Sequence, residues 1–215
     1  MATSDAGVLW APVQESWFGA FERVAGATPW LHTPARLFAV YGVVLFAAAL
    51  LLAWWVARRD DGPERVTAAL CAPVGVLVAV GVNQLLGTVF AEPRPYAVLP
   101  DALVLVARST DYSFPSDHAV MAGAVAAGVL LVDRTLGLVT AALAVLMAFT
   151  RVYVGAHWPL DVAAGLLVGA AVALATYAVA RPLVHRAVTA LAGTPARPLV
   201  TARTPPRRPA GPRPA

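Results

Sequence analysis

Long uncharged stretches alternate with short arginine-bearing loops along most of this chain. Leu37 to Ala57 is one such run, long enough as a helix to cross about 30 Å of hydrocarbon. Val66 to Ala91 is a second, interrupted by Pro73 and by the polar pair Asn83–Gln84. Ala119 to Val132 is shorter and reaches span length only if its helix begins near Ser116. Asp133–Arg134 turns the chain into a fourth run, Thr135 to Thr150. Val162 to Ala180 is the fifth, with a short continuation past Arg181 to Leu191. Gly165-x-x-x-Gly169 in that fifth run is either a close helix-packing face or ordinary small-residue usage. Ahead of all five, Trp10, Val13, Trp17, Phe18, Phe21 and Val24 interleave with Glu15, Glu22 and Arg23. That spacing predicts an amphipathic helix lying in the membrane interface, ended where Pro29 and Pro34 break the chain. The expected fold is therefore all-α: a polytopic membrane helical bundle of five transmembrane helices plus an N-terminal interfacial amphipathic helix. Residues 1–34 form the interfacial segment, 35–191 the membrane-embedded domain, and 192–215 a Pro/Arg-rich tail, expected to be disordered because it cannot bury a core.

Composition strengthens the membrane reading. Hydrophobic residues make up 59% of the 215 and charged residues only 13%, with a mean hydropathy of +0.69. Residues 1–34 lack the basic start, apolar core and cleavage site of a signal peptide. The single Cys71 lies inside an apolar run, which excludes an intramolecular disulfide and suits packing. All 16 basic residues are arginine, and there is no lysine. The net charge of +4 sits in loops and tail, so it reads as a topology signal and not as a nucleic-acid surface. With five spans, Arg58, Arg59, Arg65, Arg134, Arg181, Arg186 and the tail arginines share one face, which the positive-inside rule makes cytoplasmic. The N-terminal segment, the connection of about 25 residues from Glu92 to Asp117, and the 151–158 turn then share the outer face.

The chemistry-bearing residues fall in those outer segments. Three clusters meet there: E-P-R-P at Glu92–Pro95, F-P-S-D-H at Phe114–His118, and T-R-V-Y-V-G-A-H-W-P-L-D at Thr150–Asp161. Pro159 suits the first turn of a helix. Asp161 then lies four residues beyond His157, over the same face. A carboxylate so placed can hold one imidazole nitrogen as N–H and leave the other lone pair free. Arg151 supplies a permanent cationic fork that matches a phosphate. Ser116–His118 opens a helix whose N–H groups and dipole favour an anion. Each cluster alone has an ordinary structural explanation, as a snorkelling arginine or a helix cap. Two histidines, two arginines and an aspartate at three segment ends of a membrane protein point together to function.

In combination the clusters resemble the signature of the type 2 phosphatidic acid phosphatase superfamily, the lipid phosphatases that share a core with vanadium haloperoxidases. That signature reads Lys-x6-Arg-Pro, Pro-Ser-Gly-His and Ser-Arg-x5-His-x3-Asp. Here its parts stand at Gly87–Pro95, Pro115–His118 and Thr150–Asp161. The resemblance implies His157 as a nucleophile forming a phosphohistidine, Asp161 as its orienting carboxylate, and His118 as general acid and then base. It implies Arg94, Arg151 and Ser116 as phosphate-binding groups, with no cofactor and no metal. Three positions depart from the signature. The motif lysine falls on Gly87, and Arg108 in the outer connection is a candidate substitute, with a solvated loop arginine as the alternative. Asp117 replaces the motif glycine and adds a carboxylate beside the phosphate site; Thr150 keeps the hydroxyl of the motif serine. The P-S-D-H form, and an interfacial N-terminal helix followed by five spans, resemble the small bacterial undecaprenyl-diphosphate phosphatases. The implied activity is hydrolysis of a polyprenyl (undecaprenyl) diphosphate in a bacterial inner membrane, with membrane lipids as surroundings and no nucleic acid as partner. Phosphatidate, phosphatidylglycerol phosphate or another lipid phosphate is the near alternative. A non-catalytic lipid-phosphate-binding or transport protein is the alternative of a different class. Haloperoxidases are typically soluble, which this composition is not.

Overall fold

The computed structural model describes residues 8, 10–59 and 62–202. Among them all regular structure is helical. Helix α1 (Ala11–Ala27) leads through a 3-10 turn (Pro29–Leu31) into α2 (His32–Tyr41) and α3 (Val43–Ala57). The bundle continues with α4 (Pro63–Phe90), the single turn α5 (Pro95–Val98), α6 (Asp117–Leu130), α7 (Arg134–Tyr153) and α8 (Pro159–Leu191).

Helix α6 sits at the centre, packed most extensively on α8 and α7 and also against α4. Small residues make this possible. A Cβ at Gly169 of α8 would collide with the Val120 carbonyl, and one at Gly123 of α6 would collide with the backbone of Leu166. Gly165-x-x-x-Gly169 is thus a packing face: its helix lies against α6 backbone to backbone. Central placement also accounts for the shortness of α6. A helix of 14 residues is about 21 Å long, less than a bilayer core, but this one is enclosed by protein over much of its surface.

Among the described residues, three segments are long and apolar enough to cross a membrane: Pro63–Val98, Arg134–Tyr153 and Pro159–Leu191. Pro29–Tyr41 and Val43–Ala57 qualify together as a fourth, bent by 51°. The bend divides the run expected from Leu37 to Ala57. It falls at Gly42, where a Cβ would press on the Phe38 carbonyl and on the Met147 side chain. Two further boundaries differ from the sequence expectation. Pro34 breaks nothing, because it lies in the first turn of α2, where its missing N–H has no helical partner to lose. Helix α8 runs unbroken through Pro182 to Leu191, for 33 residues in all.

The tail expected to be disordered is seated in its first part. Residues 197–199 form a 3-10 turn beside the end of α3. There Trp54 Nε1 donates to Leu199 O at 3.0 Å, Arg58 Nη1 donates to Pro198 O at 2.9 Å, and Val200 is buried. The rest of the tail, from residue 203, lies outside the described residues. Arg58 also stacks over the Trp54 and Trp55 rings at 4.7 and 4.5 Å. The path of the helices puts this arginine-rich end opposite the end where α4 and α7 finish and α6 and α8 begin.

Helix α1 is more embedded than a helix merely lying on the interface. Trp10, Val13, Trp17 and Val24 are exposed, but Gln14, Phe18 and Ala25 are buried against α7, α8 and the turn between them.

Candidate active site

The site forms where the α7–α8 turn meets the segments before α5 and α6. Helix α7 ends at Tyr153, and the chain reverses through Gly155, whose φ of +77° lies in the left-handed region. A Cβ there would strike the Leu103 carbonyl, so glycine is required on two counts. The turn delivers His157 and Trp158, and α8 starts at Pro159.

His157 is buried, with 2% of its surface exposed. Its Nδ1–H donates to the Ser113 carbonyl at 2.9 Å, which directs the Nε2 lone pair toward the arginines. Arg94 Nη1 donates to that Nε2 at 3.2 Å and to Ala156 O at 2.9 Å. Asp161 Oδ2 stands 3.4 Å from His157 Nδ1. It accepts the Trp158 N–H at 2.9 Å and the Ser113 hydroxyl in a short bond. The orienting role expected of Asp161 is therefore divided. Ser113 holds the imidazole directly through its carbonyl and holds Asp161 through its hydroxyl. Burial first, and then the charges of Arg151 and Arg94, hold the His157 pKa well below the ordinary 6.5, against the Ser113 carbonyl, which favours the protonated ring.

Arg94 and Arg151 are both buried, each 8% exposed. Arg94 Nη2 pairs with Asp111 Oδ1 at 2.8 Å, and Nε donates to the same oxygen at 2.9 Å. Burial raises the Asp111 pKa, but hydrogen bonds from Ser109 and Arg94 and the Arg94 charge outweigh it, so the net shift is downward. Arg151, in the last turn of α7, is held more loosely: Nη1 reaches Ala39 O at 3.5 Å, and its buried Nε has no hydrogen-bond partner among the described residues. The Ser116 hydroxyl is likewise buried without a partner, while its N–H donates to Asp161 O at 3.2 Å. His118, in the first turn of α6, lies within electrostatic reach of Arg151, His157 and Arg94. The structure thus brings His157, Asp161, Arg94, Arg151, Ser116 and His118 to one end of the bundle. Arg108 stands apart, exposed, with its guanidinium 5.5 Å from the centre of the Tyr96 ring.

The departures from the signature have local explanations. Asp117 Oδ1 accepts from Asn83 Nδ2 at 2.6 Å and from Gln84 Nε2 at 2.9 Å, so the carboxylate is drawn to α4. Asn83 Nδ2 also donates to Pro115 O at 3.0 Å. The polar pair inside the second apolar run is therefore the partner of the added aspartate. Thr150 donates to Leu146 O at 2.6 Å, within its own helix. Gly87 lies in the last turn of α4, where a Cβ would meet nothing closer than the Phe114 carbonyl at 3.8 Å. No group of three or more His, Cys, Asp or Glu among the described residues is arranged to hold a metal ion.

Ser113 and Asp111 are residues of this site that sequence reasoning missed. Ser113 lies two residues before the Pro115–His118 motif, and Asp111 four, in a connection without periodicity; no spacing signal marks either.

Residues 68–184 match the PAP2 superfamily. Bacitracin transport permease protein BcrC of Bacillus licheniformis is 31% identical over 66% of this chain and 68% of its own length. Undecaprenyl-diphosphatase BcrC of Bacillus subtilis is 31% identical over 60% of this chain and 64% of its own. An undecaprenyl-diphosphatase of Sulfolobus acidocaldarius is 37% identical, but over only 45% and 47%. Among solved structures, Aquifex aeolicus LpxE superposes with a TM-score of 0.58 at 25% identity, covering 82% of this chain and 98% of that one. A transmembrane PAP2-type phosphatidylglycerolphosphate phosphatase from Bacillus subtilis shares the fold, with a TM-score of 0.53 at 19% identity over 79% and 87%. With more than half its length in the family match, this chain belongs to the PAP2 superfamily.

Proposed function

We propose that this membrane lipid phosphatase hydrolyses a polyprenyl diphosphate to the monophosphate and inorganic phosphate through a phosphohistidine at His157. The observation that carries the proposal is the pairing of an oriented nucleophile with unspent anion-binding donors. His157 Nδ1 is held as N–H by Ser113, and the buried Arg151 Nε and Ser116 Oγ have no hydrogen-bond partner among the described residues. A phosphoryl group supplies acceptors for both. Its arrival draws Arg94 Nη1 from His157 Nε2 to a phosphoryl oxygen and so releases the lone pair. Nε2 then attacks phosphorus in line with the bond to the leaving oxygen, the P–O bond breaks, and His118 gives that oxygen its proton. Asp161 stabilises the positive ring that results. In the second half His118 takes a proton from water, the hydroxide attacks phosphorus, and the N–P bond breaks to release phosphate and neutral His157.

Polyprenyl diphosphate is preferred as substrate because several similar proteins are named undecaprenyl-diphosphatases. The arrangement proposed is five spans, with α6 counted as the central one. The site then faces the outer side, α1 lies at that interface, and residues 192–215 are cytoplasmic, as the arginine distribution favours. Arg108, in the outer connection, is retained as the candidate substitute for the motif lysine. One relative carries the name of a transport permease. A binder or transporter, however, has no use for a nucleophile fixed by Ser113 and Asp161. The test is phosphate release by purified protein in detergent containing EDTA, with polyprenyl diphosphate, phosphatidate and phosphatidylglycerol phosphate compared. Release greatest from the diphosphate is expected. Lipid phosphate bound without release from any of the three would transfer the reading to a binding protein.

A further inference from the structure

The helix that precedes the bundle reaches into the site. Gln14, on α1, is fully buried, as is Glu92. Its Nε2 donates to Glu92 Oε1 at 3.1 Å, and its Oε1 accepts the Leu160 N–H at 2.9 Å. Each end of that amide touches a different catalytic segment. Glu92 stands two residues before Arg94, and its carbonyl accepts the Ser113 N–H at 2.8 Å. Leu160 follows His157 by three residues, and its N–H belongs to the first turn of α8, which has no acceptor within the helix.

The same face of α1 repeats the pattern at i+4 and i+8. Phe18 meets the Trp158 ring edge-on at 5.3 Å, and Trp158 Nε1 donates to Pro93 O at 2.9 Å. Glu22 Oε1 accepts the Leu103 N–H at 2.9 Å, next to the carbonyl under which Gly155 must pass. A carboxamide is costly to bury unless both of its ends are bonded. An apolar side chain at position 14 would fill the space but leave the Leu160 N–H and the Glu92 oxygen without this partner. Nothing about lying at an interface requires such a bridge.

We propose that Gln14 is a positioning residue for phosphoryl transfer: by bridging Glu92 and Leu160 it sets the separation of Arg94 from His157, which makes α1 part of the active-site frame. This rests on the phosphatase reading of the same site. Gln14 does not touch the reacting atoms. It acts through the placement of the phosphate fork relative to the nucleophile, where displacements near 1 Å can cost about 100-fold.

The test is an exchange of the two partners, in the full chain in detergent. Gln14→Ala, Gln14→Glu, Glu92→Gln and the double variant Gln14→Glu/Glu92→Gln are compared with wild type for kcat, KM and amide exchange at Leu160 and Ser113. Gln14→Ala is expected to lower kcat about 10- to 100-fold with KM changed less than about threefold. Gln14→Glu sets two acceptors against each other and is expected to lose at least as much. The double variant restores one donor and one acceptor in reversed order while keeping an acceptor for Leu160 N–H, so its kcat returns to within about fivefold of wild type. A purely structural role would not produce that recovery. If Gln14→Glu does not fold, Gln14→Ala and the double variant carry the comparison. A kcat within about twofold of wild type in Gln14→Ala, or a double variant no better than Gln14→Glu and Gln14→Ala, overturns the proposal; Glu92→Gln, whose amide oxygen can still accept from Gln14, is expected to stay closer to wild type than either. Should wild type release no phosphate, the phosphatase reading fails, and the bridge is judged on exchange alone. Exchange faster in Gln14→Ala and returned to the wild-type rate in the double variant supports it, and unchanged exchange overturns it.

Discussion

Ser113→Ala isolates one hydroxyl at the centre of the site. Ser113 makes three bonds there: its N–H to Glu92 O at 2.8 Å, its carbonyl to His157 Nδ1 at 2.9 Å, and its hydroxyl to Asp161 Oδ2. Alanine keeps both backbone bonds, so the imidazole retains its tautomer and its direct anchor. What disappears is a donor to a fully buried carboxylate, which then keeps the Trp158 N–H at 2.9 Å and the longer 3.4 Å approach of His157. A hydrogen bond to a charged group is worth about 1.5–3 kcal/mol. Part of that is lost equally from ground and transition states and shows only as stability. On the proposed mechanism, the part that matters to rate is the aim of Asp161 at the imidazolium formed as His157 attacks. Assigning about half to two-thirds of the bond to that step gives about 1–2 kcal/mol, or a fall in kcat of about 5- to 30-fold. KM is expected to change less than about threefold, since the proposed phosphate donors Arg94, Arg151 and Ser116 are untouched. Steady-state kinetics of phosphate release, beside a thermal melt in the same detergent, checks this. A variant that melts lower but keeps kcat within about twofold would refute the reasoning and reduce Ser113 to a structural residue.

Asp117→Ala is expected to cost about 1–2 kcal/mol of stability, from its two amide bonds and its place in the first turn of α6, while KM stays within about threefold. A tenfold lower KM at an unchanged melting point would show instead that the carboxylate repels phosphate. Gly169→Ala forces a methyl group onto the Val120 carbonyl and is expected to destabilise by at least about 1–3 kcal/mol in thermal melts; a wild-type melt would contradict the backbone contact of α6 and α8. The depressed His157 pKa predicts a pH dependence of defined sign. The unfolded chain takes up this proton at 6.5 and the folded site does not. The contribution is therefore complete above pH 6.5 and lost as pH falls below it toward the folded value. Melting points recorded from pH 8 to pH 5 should decline below about 6.5, less steeply in His157→Ala, and an equal slope in both would contradict the assignment.

The sequence marked the proposed catalytic groups better than the residues that support them, for a physical reason. His157, Asp161, Arg151 and His118 occupy fixed offsets from helix ends, so apolar periodicity and a proline suffice to place them. Asp117 stood out as a departure, and Asn83–Gln84 as polar residues in an apolar run, but that they meet follows from the packing of α4 on α6. Ser113 and Asp111 lie in a connection whose path depends on what it touches. Gln14 looks like one polar position of an amphipathic helix until α1 is docked. The break at Gly42 is invisible in hydropathy because the residues from Leu37 to Tyr41 before it and those of α3 after it form one uncharged run. The seated residues 197–202 resemble a solvated tail in composition; their order comes from backbone carbonyls meeting the Trp54 and Arg58 side chains.

The central claim is that His157 Nε2 carries the phosphoryl group. It is tested most directly by mixing purified protein with lipid diphosphate labelled in its terminal phosphate, quenching within one turnover, and locating protein-bound label. The expected result is an acid-labile, alkali-stable adduct on His157, absent in His157→Ala together with all hydrolysis. Hydrolysis persisting in His157→Ala, or label found on another residue, would contradict it.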